Sequence, residues 1–202
     1  TMLARRIPSI LPSMTLEECL EVTKIHSIAR LLKDNKPLVI KRPFRTPHHS
    51  ATPAGILGGG RVPQPGEVSL AHRGVLFLDE FPEYSREVLE SLRQPLEDGE
   101  VVITRAEMTV RYPATFMLVA SRNPCYCGFY MHPRRACTCS EAQIRRYRLK
   151  SSGPLMDRID LHVEVPSLLY QELEKEKEGE SSASIRKRVE QARSIQRERF
   201  KD

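Results

Sequence analysis

Two adjacent carboxylates, Asp79 and Glu80, end the apolar run Val75-Leu76-Phe77-Leu78, and Phe81 follows them. A carboxylate beside a buried strand is costly unless it is paired or holds a metal. At the C-terminal end of a strand, where open α/β sheets place their ligands, the pair has a defined chemistry. The first acid can hold Mg²⁺, through water, beside nucleotide phosphates. The second can polarise the water that attacks a γ-phosphate. The pattern is a Walker B strand, and a surface turn that happens to contain two acids is the alternative.

Cys125, Cys127, Cys137 and Cys139 form a second constellation, C-x-C-x9-C-x-C. Four thiolates suit tetrahedral Zn²⁺, and two close pairs separated by a loop let a short segment close such a site. The C-x-C spacing is less typical than C-x2-C, so free thiols, an iron–sulfur cluster and disulfides stay open. His132, in the intervening loop, is a substitute ligand. Four protein ligands leave no open position, so this metal would be structural. Arg134, Arg135, Arg145, Arg146 and Arg148 make the surrounding stretch the most basic in the chain, and such a loop can meet DNA.

A Walker B strand needs a phosphate-cradling loop, G-x-x-x-x-G-K-[ST], and no such string occurs. The glycine-rich 55–60, GILGGG, lacks the lysine and the following helix. Residues 2–11, MLARRIPSIL, do carry apolar residues at helical spacing behind Thr1, as a helix following such a loop would. The chain opens on Thr1 rather than Met, so the expectation is a piece of a longer protein, cut just after the loop's lysine.

These groups need elements to position them. Thr15 and Glu18 form a capping-box pattern ahead of a helix whose stripe is Leu16, Leu20, Ile25, Ile28 and Leu32, with the lone Cys19 reading as core. Residues 37–44 read as a short strand, and 45–72 as a structured Pro/Gly-rich loop in which His48 and His49 take polar or packing roles. Residues 74–79 form a buried strand of the parallel type. Ser85 caps a helix with Val88, Leu89, Leu92 and Leu96 inward, closed by Gly99. Residues 100–113 alternate about a turn near Ala106 and Glu107, a hairpin. Segments 114–121 and 161–165 read as further buried strands. Strands alternating with helices predict an α/β fold with a parallel sheet. From Glu172 a charged, serine-rich linker leads to a basic amphipathic helix with Ile185, Val189, Ala192 and Ile195 on one side.

Composition sets the outer bounds. The 202 residues carry 40% apolar and 29% charged side chains, enough for one good core and part of a second. No apolar run approaches the roughly 20 residues of a membrane span. Clustered cysteines without a disulfide framework point to a reducing, cytoplasmic setting. The net charge of +6 suits nucleic acid or an ordinary basic surface equally.

The strings RPFRTPHHSA, GEVSLAHRGVLFLDEFPEYSREVLESLRQPLEDGEVVITRA, NPCYCG and GPLMDRIDLHVEVP resemble the magnesium-chelatase-related AAA+ ATPases of the ComM/YifB type. The resemblance covers nearly the whole chain. It implies a three-layer AAA+ P-loop NTPase core with inserted hairpins over 1–166, a linker over 167–183 and the start of a helical lid over 184–202. It also implies an ATP- and Mg²⁺-dependent motor assembled as a hexameric ring, with branched DNA as partner. By motif, Thr1 resembles the Mg²⁺-binding Walker A threonine, and Asp79 and Glu80 the Walker B pair. Asn123 resembles sensor 1. Arg158 resembles an arginine finger that reaches the neighbouring subunit, a local ion pair with Asp157 or Asp160 being its alternative. The 100–113 hairpin and the 45–72 insertion would face the pore, with Arg105 and Arg111 as phosphate contacts or simply solvated arginines. Two rivals stand beside this reading: a true magnesium-chelatase motor subunit, and a non-enzymatic zinc-braced DNA-binding module.

Overall fold

The computed structural model describes residues 1–32, 37–105, 108–150, 153, 155–165 and 179–200. It divides into two compact units, Thr1–Pro8 with Ser13–Arg122, and Ser9–Pro12 with Asn123–Asp202.

The first unit is built on three parallel strands, β1 (Phe44–Arg45), β4 (Val75–Leu78) and β7 (Met117–Ala120), in the order β1-β4-β7. This is the α/β class with a parallel sheet that the alternation predicts. The central strand β4 is a continuous apolar run because it is covered on both faces. All four of its side chains are buried, each stabilising the unit by about 1.5–3 kcal/mol. Gly74 lets β1 approach: a Cβ there would lie 2.1 Å from the Pro43 carbonyl oxygen, which accepts the Val75 N–H at 2.8 Å. Register pairs Leu78 with Ala120, so Asp79 and Ser121 leave neighbouring strands side by side.

A 3-10 turn at Ala4–Arg6 runs into α1 (Ile7–Ile10), and the first unit also holds α2 (Leu16–Ile28), α3 (Pro53–Leu57) and α4 (Glu67–Leu70). α2 carries the predicted capping box: Thr15 accepts from the Glu18 N–H, and Glu18 accepts from the Thr15 N–H. The predicted helix after Ser85 is present but divided into α5 (Arg86–Ser91) and α6 (Arg93–Asp98). Pro95 explains the break, since it has no N–H to donate to Ser91. Gly99 closes it in the left-handed conformation at φ 67°. Two antiparallel ribbons are inserted. One is β2 (Gly58–Gly59) with β3 (Gln64–Pro65), inside the stretch read as a loop; the other is the predicted hairpin, β5 (Glu100–Arg105) with β6 (Met108–Pro113). Its turn at Ala106 and Glu107 lies outside the described residues.

Several expectations are corrected. The expected stripe of α2 holds only in part: Ile25 is buried, as is Cys19, which reads as core, but Leu16, Leu20 and Ile28 are exposed, and Val22 completes the buried face. Glu18 and Glu21 turn toward Arg42 and Arg73, and these pairs choose the face. The strand expected over 37–44 pairs only from Phe44, after Pro43, a residue with no N–H to give a ladder. β7 is an edge strand and half exposed rather than buried. Residues 161–165 form no strand, and Leu161, Val163 and Val165 are 82%, 80% and 68% exposed; apolar alternation without a pairing neighbour does not make a strand.

The second unit contains α7 (Glu141–Lys150), a 3-10 turn at Met156–Arg158 and α8 (Ser182–Arg199). Arg186 Nε donates to the Ser9 carbonyl at 2.8 Å, which holds α8 to the Ser9–Pro12 segment. On α8, Ile185 and Val189 are half-buried while Ala192 and Ile195 are exposed. Residues 167–178 of the linker expected over 167–183 lie outside the described residues.

Candidate active site

Strand pairing continues past the end of β4. Ser121 N–H donates to Leu78 O at 3.0 Å, and Phe81 N–H donates to Ser121 O at 2.9 Å. Asp79 therefore emerges beside Ser121, whose hydroxyl donates to Asp79 Oδ1. On the other side Thr1 Oγ1 donates to Asp79 Oδ2, across 78 residues of chain. Glu80 N–H also reaches Asp79 Oδ1 at 3.2 Å. Burial pushes the Asp79 carboxyl up, but the Ser121 and Thr1 hydroxyls outweigh it and hold the group below its ordinary 3.8. Asp79 is thus ionised at neutral pH. A threonine hydroxyl against an ionised carboxylate is the hard oxygen donor set that Mg²⁺ takes, one or two protein oxygens leaving its other positions to water and phosphate. These residues fit that ion.

Glu80 has φ 53° and ψ 46°, left-handed backbone in a residue with a Cβ, which costs about 1–2 kcal/mol. The turn throws its side chain out of the strand, 57% exposed. His49 Nδ1 lies 3.5 Å from Glu80 Oε2. His49 is held in turn by the His48 ring at 4.1 Å and edge-on by Tyr84 at 6.5 Å. Tyr84 Oη donates to the Pro47 carbonyl at 2.6 Å, fixing the segment over the acid. Burial pushes the Tyr84 hydroxyl up to about 12, so it remains a donor. Ser121 was not singled out from sequence, and His49 was read only as a polar or packing residue. The one signal was position: Ser121 ends the strand beside β4, and His49 sits in the conspicuous PHHS string.

A part-buried network sits at the opposite end of these strands. His72 Nδ1 accepts the Thr115 N–H at 3.1 Å and its Nε2 faces Glu21 Oε2 at 3.1 Å. Arg73 Nε binds the same Glu21 oxygen at 2.9 Å. Arg42 Nη1 donates to Arg73 O at 2.6 Å and Nη2 reaches Glu18 at 3.3 Å. Together they tie α2 to the entrances of β4 and β7.

The structure brings Thr1, Asp79 and Glu80 together in the first unit, while Asn123 and Arg158 belong to the second. Asn123 is exposed, three residues past the end of β7, and Arg158 is exposed at the end of its 3-10 turn. On the hairpin, Arg111 pairs across the strands with Glu100 at 2.7 Å, and Arg105 Nε donates to Gly60 O of the other ribbon at 3.2 Å. The four predicted cysteine ligands converge in the second unit, with their Sγ atoms all within 4.8 Å of one another. His132 does not join them: its Nδ1 accepts the N–H groups of Arg134 and Arg135.

Residues 1–173 match the profile of the family described as magnesium chelatase, subunit ChlI. The competence protein ComM of Haemophilus influenzae is 47% identical over 202 residues, 98% of this chain and 39% of the relative. The protein YifB of Escherichia coli is 45% identical over 197 residues, 97% of this chain and 38% of the relative. The magnesium-chelatase 38 kDa subunit of Cereibacter sphaeroides is 30% identical over 109 residues, 54% of this chain and 26% of the relative. The chain thus spans about two fifths of the length of the first two. No helix among the described residues is long and apolar enough to cross a membrane.

Proposed function

The chain belongs to the magnesium chelatase subunit ChlI family of AAA+ ATPases, and from that premise we propose that its whole protein hydrolyses ATP at Asp79 and Glu80 and couples turnover to the remodelling of DNA. The observation that carries the reading is the meeting of Thr1 and Asp79 at a strand end, with Glu80 thrown outward beside them.

Thr1 Oγ1 and Asp79 would hold the ion, and Mg²⁺ there would supply charge neutralisation for the nucleotide phosphates. Ser121 keeps the Asp79 carboxylate ionised and aimed. Glu80, exposed and displaced from the strand, would accept a proton from the attacking water, with His49 restricting where its carboxylate can point. Asn123 would orient that water, and Arg158, presented by a neighbouring subunit of a hexameric ring, would neutralise transition-state charge. These two roles are carried over from the family's motifs.

The identity with a competence protein supports DNA as the partner, as do the exposed Arg134, Arg135, Arg145, Arg146 and Arg148. The chelatase reading rests on weaker identity over half the chain. A binding module without turnover would have no use for a Thr1–Asp79–Ser121 arrangement beside Glu80. In the full-length protein, Glu80→Gln is expected to lower ATP turnover by about 10²–10⁴-fold while nucleotide affinity stays within a few-fold. Turnover at the unaltered rate would overturn the assignment.

A further inference from the structure

We propose that Cys125, Cys127, Cys137 and Cys139 bind a single structural Zn²⁺, and that this metal, rather than an apolar core, holds the segment 123–150 in shape. The site is independent of the nucleotide reading.

Geometry is the first argument. The separations Cys125–Cys127, Cys125–Cys137 and Cys127–Cys137 are 3.4, 3.7 and 3.5 Å between Sγ atoms. A Zn–S bond of about 2.3 Å in a tetrahedron puts its sulfurs about 3.8 Å apart. All four thiols converge on one point, whereas two disulfides would need only two separate pairs. An iron–sulfur cluster, with several metals inside the thiolate cage, would hold them farther apart.

The second argument is what else could order the segment. Residues 123–140 contain no regular helix or strand. Among the described residues from Asn123 onward, only Cys125, Tyr147 and Leu155 are buried apolar side chains. Three such residues cannot balance the ordering entropy of this stretch, and a closed metal site contributes folding energy outright. The backbone is shaped for it. Gly128 at φ 80° and Met131 at φ 60° turn the chain just after the first cysteine pair. Backbone hydrogen bonds from Phe129 and Thr138 reach Cys127, the kind of support that ligating thiolates receive.

What remains is a collar joining loop to helix. Tyr126 packs edge-on to Tyr147 at 4.8 Å, Arg148 lies over Tyr130 at 4.7 Å, and Lys150 over Tyr126 at 5.4 Å. These contacts are peripheral and only partly buried. They bind α7 to a loop that the metal has already closed.

The test uses the whole chain purified with reductant. Elemental analysis is expected to find stoichiometric zinc, and Co²⁺ substitution to give the visible spectrum of a tetrahedral thiolate site. Cys137→Ser is expected to weaken Zn²⁺ binding about tenfold or more. Should that variant fail to fold, the unaltered chain still decides. A chelator should open 123–150 to protease while 44–121 stays resistant, and added Zn²⁺ should restore protection. Protein that is metal-free under reducing conditions, iron with labile sulfide, or protection of 123–150 that ignores the chelator would each overturn the proposal.

Discussion

Replacing His72 with alanine removes a ring that joins three parts of the first unit, and the structure sets the size of the effect. His72 is 2% exposed. Because its Nδ1 accepts the Thr115 N–H, the proton sits on Nε2 and faces Glu21. The variant takes away the partner of the Thr115 N–H, a part-buried hydrogen bond, at about 0.5–1.5 kcal/mol. Loss of the Glu21 contact adds less than about 1 kcal/mol, because that carboxylate is 41% exposed and screened. With some lost ring packing, the total is about 1–3 kcal/mol. Urea unfolding of the 202-residue chain measures it. The pH dependence carries a second check. Burial pushes the His72 imidazole below its ordinary 6.5, so the folded state keeps the neutral ring. The unfolded chain takes up a proton first as pH falls, so this contribution is complete above 6.5 and is lost as pH falls toward the folded-state value. Burial also lowers His26, which stands against Leu70 O, with the same sign. The Arg73 hydrogen bond lowers Glu21, whose share is lost only below its ordinary 4.5. The cost of His72→Ala should therefore shrink between about pH 7.5 and 5.5. A cost under about 1 kcal/mol at the higher pH, or one that grows on acidification, would refute the reasoning.

Gly74→Ala places a Cβ 2.1 Å from Pro43 O and 2.8 Å from Pro43 N; with backbone on the other side, the β1–β4 approach must open. The expected loss is about 3 kcal/mol, read as a lower denaturation midpoint, and an unchanged midpoint would contradict it. Ser121→Ala removes a donor from Asp79 Oδ1. In the full-length protein it should raise the Mg²⁺ needed for half-maximal ATP turnover by about tenfold, the part of a charged hydrogen bond that survives solvent screening. A Mg²⁺ titration that superimposes on the unaltered protein would count against Asp79 as the ion's carboxylate.

The parts of this fold legible in sequence are those set by local chemistry. The Thr15 capping box, the Ser85 cap, the Gly99 closure and the 100–113 hairpin depend on residues a few positions apart, and each is present. β4 was legible because a short continuous apolar run, too short for a buried helix and ended by two acids, fits a strand covered on both faces. What escaped depends on distant partners. The buried face of α2 is chosen by Arg42 and Arg73, well downstream of the helix. The alternation at 161–165 promises a strand and finds no neighbour to pair with. Ser121 and His49 look like an ordinary serine and one of two loop histidines until β4 and β7 set them beside Asp79 and Glu80. The likeness of Thr1 to a Mg²⁺-binding threonine came from the family motif, and the fold sets its hydroxyl against Asp79.

ATP turnover by the full-length protein, with and without branched DNA and in the presence of Mg²⁺, tests the central claim most directly. The account predicts turnover that DNA stimulates and that Glu80→Gln removes. Turnover indifferent to DNA would contradict the proposed partner, and no turnover at all would contradict the motor.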